Sequence, residues 1–186
     1  IVECGVWRGG CSIAMAKTLK NLGSKKKIWM YDTFSGMTEP SKFDKHQGTG
    51  IDAIKKYKNL IRGTHNEWCY SSFEQVKENI SKFNLSDITK LIKGDVSITL
   101  TKEKNLPKSI SLLRLDTDWY ESTKKELEVL YPRLSKSGVM LIDDYGHWSG
   151  SKKAVDEYFD NNKSSIGKPL LWVSDYAGRA MIKHRS

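Results

Sequence analysis

The chain has 186 residues, 38% of them apolar, which is enough for one globular domain with its own core. Its 31 Lys and Arg outnumber 22 Asp and Glu, giving a net charge of +9. The lysines are scattered over helix faces (Lys17/Lys20, Lys124/Lys125, Lys152/Lys153) with no basic-aromatic motif, a pattern that speaks against nucleic acid as partner. No apolar run reaches the roughly 18–20 residues of a membrane helix. Three cysteines, Cys4, Cys11 and Cys69, without a Cys-x-x-Cys pair point to a reducing, cytoplasmic setting and away from zinc.

Residues 1–4 read as a first strand. Because the chain starts inside it, residues upstream are expected in the natural protein, and a targeting segment there stays open. Gly5-Val6-Trp7-Arg8-Gly9-Gly10 is the loop that follows. A helix opens at Cys11 or Ser12 and runs to residue 22, with Ile13, Ala16, Leu19 and Leu22 on one face and Gly23 beyond its end. Residues 27–31 are a second strand. The stretch 33–70, broken by Gly36, Pro40, Gly48 and Gly50, is too long for a connector and is expected to be a lid or insertion, with one helical pattern over 51–61. A helix follows over 72–83, with Phe73, Val76, Ile80 and Phe83 on one face, and then a third strand over 90–94. Residues 99–108 form a loop or short helix. A fourth strand covers 110–115, and a helix 119–134 turns Leu127, Leu130 and Leu134 inward. A fifth strand at 139–142, a helix over 152–161, and two final strands at 170–173 and 179–183 complete the chain. The last two are joined without a helix and must therefore be antiparallel. Five βα units and a terminal hairpin give an α/β, Rossmann-like doubly wound architecture over residues 1–186: seven strands, mostly parallel, with an antiparallel C-terminal hairpin.

Five apolar runs end in an acid: Glu3, Asp32, Asp95, Asp116 and the pair Asp143-Asp144. In an open α/β sheet the ligand lies past the carboxyl ends of the strands, so the five acids are expected on one rim, facing hydroxyls, a cation, or both. The first loop has the spacing Gly-x-x-x-Gly, neither the Gly-x-Gly-x-x-Gly of dinucleotide sites nor a phosphate loop. A helix N-terminus there suits a small carboxylate-bearing zwitterion. Asp32 is placed to accept ribose hydroxyls and Asp95 to flank an adenine. Asp116, Asp118, Asp143 and Asp144 repel one another unless a hard divalent ion, Mg²⁺ first, sits among them. One carboxylate left off the ion would then serve as a general base. His147 is a candidate substrate contact, His46 and His65 fall in the lid region, and Arg114, inside an apolar strand, must pair with an acid or cap a carbonyl.

Four motifs carry a resemblance: Val2-Glu3-Cys4-Gly5-Val6-Trp7-Arg8-Gly9-Gly10, Tyr31-Asp32-Thr33-Phe34-Ser35-Gly36-Met37, Leu113-Arg114-Leu115-Asp116-Thr117-Asp118-Trp119-Tyr120-Glu121-Ser122-Thr123 and Ile142-Asp143-Asp144-Tyr145-Gly146. In this order they resemble the macrocin O-methyltransferase family, class I enzymes that methylate sugar hydroxyls of natural products with S-adenosylmethionine and Mg²⁺. The resemblance implies a metal on Asp116, Asp143 and Asp144, with Asp118 as general base. It implies cofactor contacts from Glu3, Gly5, Val6, Arg8, Gly9, Ser12, Asp32, Phe34, Asp95 and Asp116. It also implies a small-molecule hydroxyl acceptor, a sugar, and N-terminal residues that help form a lid. Nucleic acid and membrane are not expected as partners, and a homo-oligomer stays open. Two other readings remain: a Mg²⁺-dependent phosphoryl or glycosyl transferase using Asp-x-Asp and Asp-Asp, and a non-catalytic binding module on the same fold.

Overall fold

The computed structural model describes residues 1–167 and 169–184. In chain order the elements are β1 (Val2–Cys4), α1 (Gly10–Asn21), β2 (Ile28–Asp32), α2 (Ala53–Asn59), β3 (Ile61–Arg62), β4 (His65–Asn66), α3 (Phe73–Lys82), β5 (Thr89–Lys93), α4 (Val96–Thr99), β6 (Ile110–Leu115), α5 (Tyr120–Leu130), β7 (Leu134–Ile142), α6 (Ser149–Asn161), α7 (Lys163–Ile166), β8 (Trp172–Val173) and β9 (Arg179–Ile182). Seven strands form one sheet in the order β5-β2-β1-β6-β7-β9-β8. The first five run parallel, while β9 is antiparallel to both β7 and β8.

Apolar side chains on both faces explain why this sheet is covered on both sides. In β2, Ile28 and Met30 pack with Ala16 and Leu19 of α1 and Val76 and Ile80 of α3. Tyr31 points the other way, into a larger cluster with Leu127 and Leu130 of α5 and Val155 and Phe159 of α6. Strand order reverses between β1 and β6, and a crevice opens there at the strands' carboxyl ends. No helix among the described residues is long and apolar enough to cross a membrane.

The seven-stranded, mostly parallel sheet and its antiparallel C-terminal hairpin match the sequence reading, and the boundaries shift for identifiable reasons. The helix expected to reach residue 134 stops at Leu130, because Pro132 lacks an N–H and Tyr131–Arg133 tightens into a 3₁₀ turn. Leu134 is buried as expected, but as the first residue of β7, five residues ahead of the expected start at 139. Lys183 secures that extension by donating from Nζ to the Leu134 carbonyl at 2.8 Å. The short hairpin β3–β4, turning at Gly63 with φ +55°, lies inside the stretch read as irregular.

Candidate active site

The first loop is shaped by Asp32. Its Oδ2 accepts the N–H groups of Val6 at 2.8 Å and Trp7 at 3.0 Å, and its Oδ1 accepts that of Phe34 at 2.7 Å. One carboxylate thus holds the β1–α1 and β2 loops open around the crevice. Burial raises its pKa, and these N–H donors oppose the rise. Gly5, at φ +80°, is so close to β6 that a methyl group there would overlap the Asp116 carbonyl. Gly9, at φ +84°, caps α1. Val6 and Phe34 are buried, and Phe34 packs edge to face on Phe73 at 5.2 Å. Arg8 lies over the Trp7 ring at 4.9 Å.

A cleft of about 740 Å³, its open mouth included, runs along the strand ends. Gly5, Trp7, Asp32, Asp95, Asp116 and Asp118 are among the residues that line it. Asp95 also caps α4, accepting the Ser97 N–H at 2.8 Å. Trp7 was not anticipated as a wall of this cleft. It sits at φ +46° and is pinned by its Nε1–H to the Tyr70 carbonyl at 3.2 Å.

Of the ten expected cofactor contacts, Gly5, Asp32, Asp95 and Asp116 line the cleft, while Glu3, Val6, Arg8, Gly9, Ser12 and Phe34 do not. Glu3 falls within β1, is 1% exposed, and accepts hydrogen bonds from Ser12 and from Arg114. Neither Glu3 nor Ser12 lines the cleft; burial raises the pKa of Glu3 while Ser12 and Arg114 hold it down. Arg114 carries the network outward, pairing with Glu3 at 3.0 Å, with Asp116, and with Asp143 at 2.7 Å. A guanidinium inside an apolar strand was the sequence signal for this hub.

Oxygens of Asp116, Asp118 and Asp144 all lie within 4.8 Å of one another. This trio differs from the Asp116, Asp143 and Asp144 set that the resemblance implies: Asp118 stands in the group, while Asp143 turns one oxygen to Arg114. Burial pushes the Asp116 carboxyl up to about 8, with Asp143 and Asp144 adding to the rise and Arg114 opposing it. Asp118 and Asp144 are raised in the same direction, chiefly by burial. Asp118 sits at φ +67°, with its N–H on Asp144 at 3.2 Å and its Oδ2 taking the Nε1–H of Trp148 at 2.9 Å. Beneath the trio, fully buried Glu126 accepts the Thr117 hydroxyl at 3.0 Å, and burial raises its pKa strongly. Neither Trp148 nor Glu126 had been read as part of the site.

Residues 33–70, the stretch expected to be a lid, are sewn to the same edge. Asp44, 3% exposed, accepts the N–H of Tyr120, the first residue of α5, at 2.7 Å, together with the N–H and hydroxyl of Ser41. Lys45 and Ser149 exchange hydrogen bonds, and the Gln47 amide reaches the Tyr145 carbonyl. His46 and His147 both join this seam; His65 instead stacks on Tyr70 at 4.2 Å.

A family model described as macrocin-O-methyltransferase (TylF) matches residues 1–180. The chain is 34% identical over 172 residues to the 8-demethyl-8-(2,3-dimethoxy-alpha-L-rhamnosyl)-tetracenomycin-C 4'-O-methyltransferase of Streptomyces olivaceus, covering 91% of this chain and 60% of that protein. It is 31% identical to the demethyldecarbamoylnovobiocin O-methyltransferase of Streptomyces niveus, covering 93% of this chain and 62% of that protein. It thus spans about three-fifths of the length of the curated relatives it matches. Among solved structures, the O-methyltransferase NovP superposes with a TM-score of 0.83 at 29% identity, covering 100% of this chain and 72% of that one.

Proposed function

This chain belongs to the macrocin-O-methyltransferase family, and from that premise we propose that it moves a methyl group from S-adenosylmethionine to a hydroxyl oxygen of a sugar in a small natural-product glycoside. The observation that carries the reading is that Asp116 and Asp118 belong both to the cleft wall and to the acidic trio. A cofactor in the cleft and a deprotonating group therefore meet at one place. The name of the first relative, which puts a methyl on a rhamnosyl-bearing compound, supports a sugar as acceptor.

Both groups fit the residues present. The cleft sets the Gly5 turn beside the carboxylates of Asp32, Asp95 and Asp116, which suits a ligand with an amino-acid end and a nucleoside end. The trio offers only oxygen donors, and its pKa values, raised first by burial and further by the neighbouring carboxylates, mark charges that a divalent ion would stabilise. When bound, S-adenosylmethionine supplies the electrophilic methyl carbon, and Mg²⁺ supplies a Lewis acid that holds an acceptor oxygen and lowers its pKa.

The chain's own residues do the rest. Asp116 and Asp144 would hold the ion. Asp32 and Asp95 present carboxylates to the nucleoside end, and the loop from Gly5 to Ser12 presents backbone N–H groups to the amino-acid end. Asp118 takes the acceptor's proton. Its raised pKa suits a base working near neutrality, and Trp148 fixes one of its oxygens. Residues 33–70 act as the lid that excludes water. Calorimetric titration with S-adenosylmethionine, with and without Mg²⁺, tests the cofactor assignments: binding in the micromolar range is expected, and no binding removes the reading. Asp118→Asn is expected to keep that affinity and to lose about 10²–10⁴-fold in turnover. Unchanged turnover would remove the base assignment.

A further inference from the structure

Beside the acidic trio lies a cluster of nitrogen-bearing side chains, two histidines and a lysine. The rings of His46 and His147 meet edge to face at 4.3 Å. Both pack on Trp148, at 5.4 and 4.9 Å, and the indole N–H of Trp148 grips Asp118. Trp148 packs in turn on Trp68 at 5.9 Å, and exposed Lys56 of α2 holds its ammonium 3.8 Å above the Trp68 ring. Lys56 is near enough to His147 to disfavour its charge, as does His46; Asp143, already tied to Arg114, acts the other way.

The donors are also set in place. Nδ1 of His46 accepts the N–H groups of Gly48 at 3.0 Å and Thr49 at 2.9 Å, which fixes its proton on Nε2. Nδ1 of His147 pairs with the exposed Tyr176 hydroxyl at 2.9 Å. Two segments distant in sequence thus bring one ammonium, Lys56, and two imidazoles together around a tryptophan pair, with the His46 Nε2–H left as a donor. An ammonium beside imidazole N–H donors is a grouping that suits an anion.

We propose that Lys56, His46 and His147 bind an anionic group, phosphate or carboxylate, carried by the methyl acceptor, so that the substrate is a phosphorylated or acidic sugar. This rests on the methyltransferase reading, because the same Trp148 touches both this cluster and the proposed base. The lysine lies on the lid stretch and the histidines bridge it to the end of β7. Anion binding would therefore clamp the lid over a correctly oriented hydroxyl.

The test uses protein carrying ¹³C-labelled histidine rings, in EDTA so that no divalent ion bridges the acids. Inorganic phosphate is titrated in one arm and glucuronate in another. A saturable shift of His46 and His147, with His65 and His184 unmoved, is expected in at least one arm: phosphate points to a phosphorylated acceptor and glucuronate to an acidic sugar. Lys56→Met keeps the stem over Trp68 and removes the charge, and it is expected to weaken that binding about tenfold. No saturable shift in either arm, equal movement of all four histidines, or unchanged affinity in Lys56→Met overturns the proposal. Titration of the same samples with S-adenosylmethionine separates the two failures: intact cofactor binding without anion binding sinks the anion site alone, and absent cofactor binding sinks the reading beneath it.

Discussion

The two flanks of the cleft are held by different means. On one side β1, β2 and β6 are locked by ladder hydrogen bonds and by side chains buried on both faces. On the other, residues 33–70 carry only α2 and a short hairpin and dock through a few groups, chiefly Asp44, Lys45 and Gln47. Each flank contains a glycine at positive φ facing a carbonyl: Gly5 against Asp116, Gly36 against Asn66. The same local device therefore serves a rigid wall in one place and a docked cover in the other. What separates them is the structure that depends on each.

Gly5→Ala should have the largest effect. Its methyl would force β1 from β6 at the centre of the sheet, and a loss of about 3–5 kcal/mol is expected in urea unfolding, or no soluble protein at all. Asp44→Ala should cost about 2–3 kcal/mol, because it strips a buried acceptor from the Tyr120 N–H. Hydrogen exchange should quicken at Tyr120 and through residues 38–49 while the central strands keep their protection. Gly36→Ala should cost about 1–3 kcal/mol, since the cover can shift where the sheet cannot. Exchange confined to residues 57–70 would bear this out, and global unfolding would erase the distinction between the flanks.

The smallest effect expected is on pH dependence. Asp116 is raised to about 8 and Asp118, Asp144 and Glu126 are raised as well, whereas unfolded carboxyls titrate near 4. Between those values the folded chain binds more protons than the unfolded chain, so stability is present in full at the acid end and is lost as pH rises toward about 8. Thermal melts in EDTA should fall by a few degrees over that range. Added Mg²⁺ should recover the loss if the trio binds it.

The sheet was legible in the sequence because short apolar runs and punctuating glycines report local geometry directly. Asp32, Asp116 and Asp118 were legible as edge residues for the same reason, since strand ends are set by the runs that precede them. Glu3 stands one residue before the end of β1 at Cys4, as the strand read over 1–4 already had it, and its carboxylate is buried there. Asp44, Glu126 and Trp148 carried no local signal, because each matters through a partner 76, 9 and 30 positions away in the chain. The hairpin β3–β4 is two residues per strand and too short to show a period.

Arg114 bears on how such an edge is balanced as the protein folds. Its guanidinium stays charged at any accessible pH and already answers Glu3, Asp116 and Asp143 from within the sheet. The edge therefore brings its own counter-ion into the folding reaction. Glu3, Asp116 and Asp143 are thus answered by a cation of the chain's own, whatever else the edge holds.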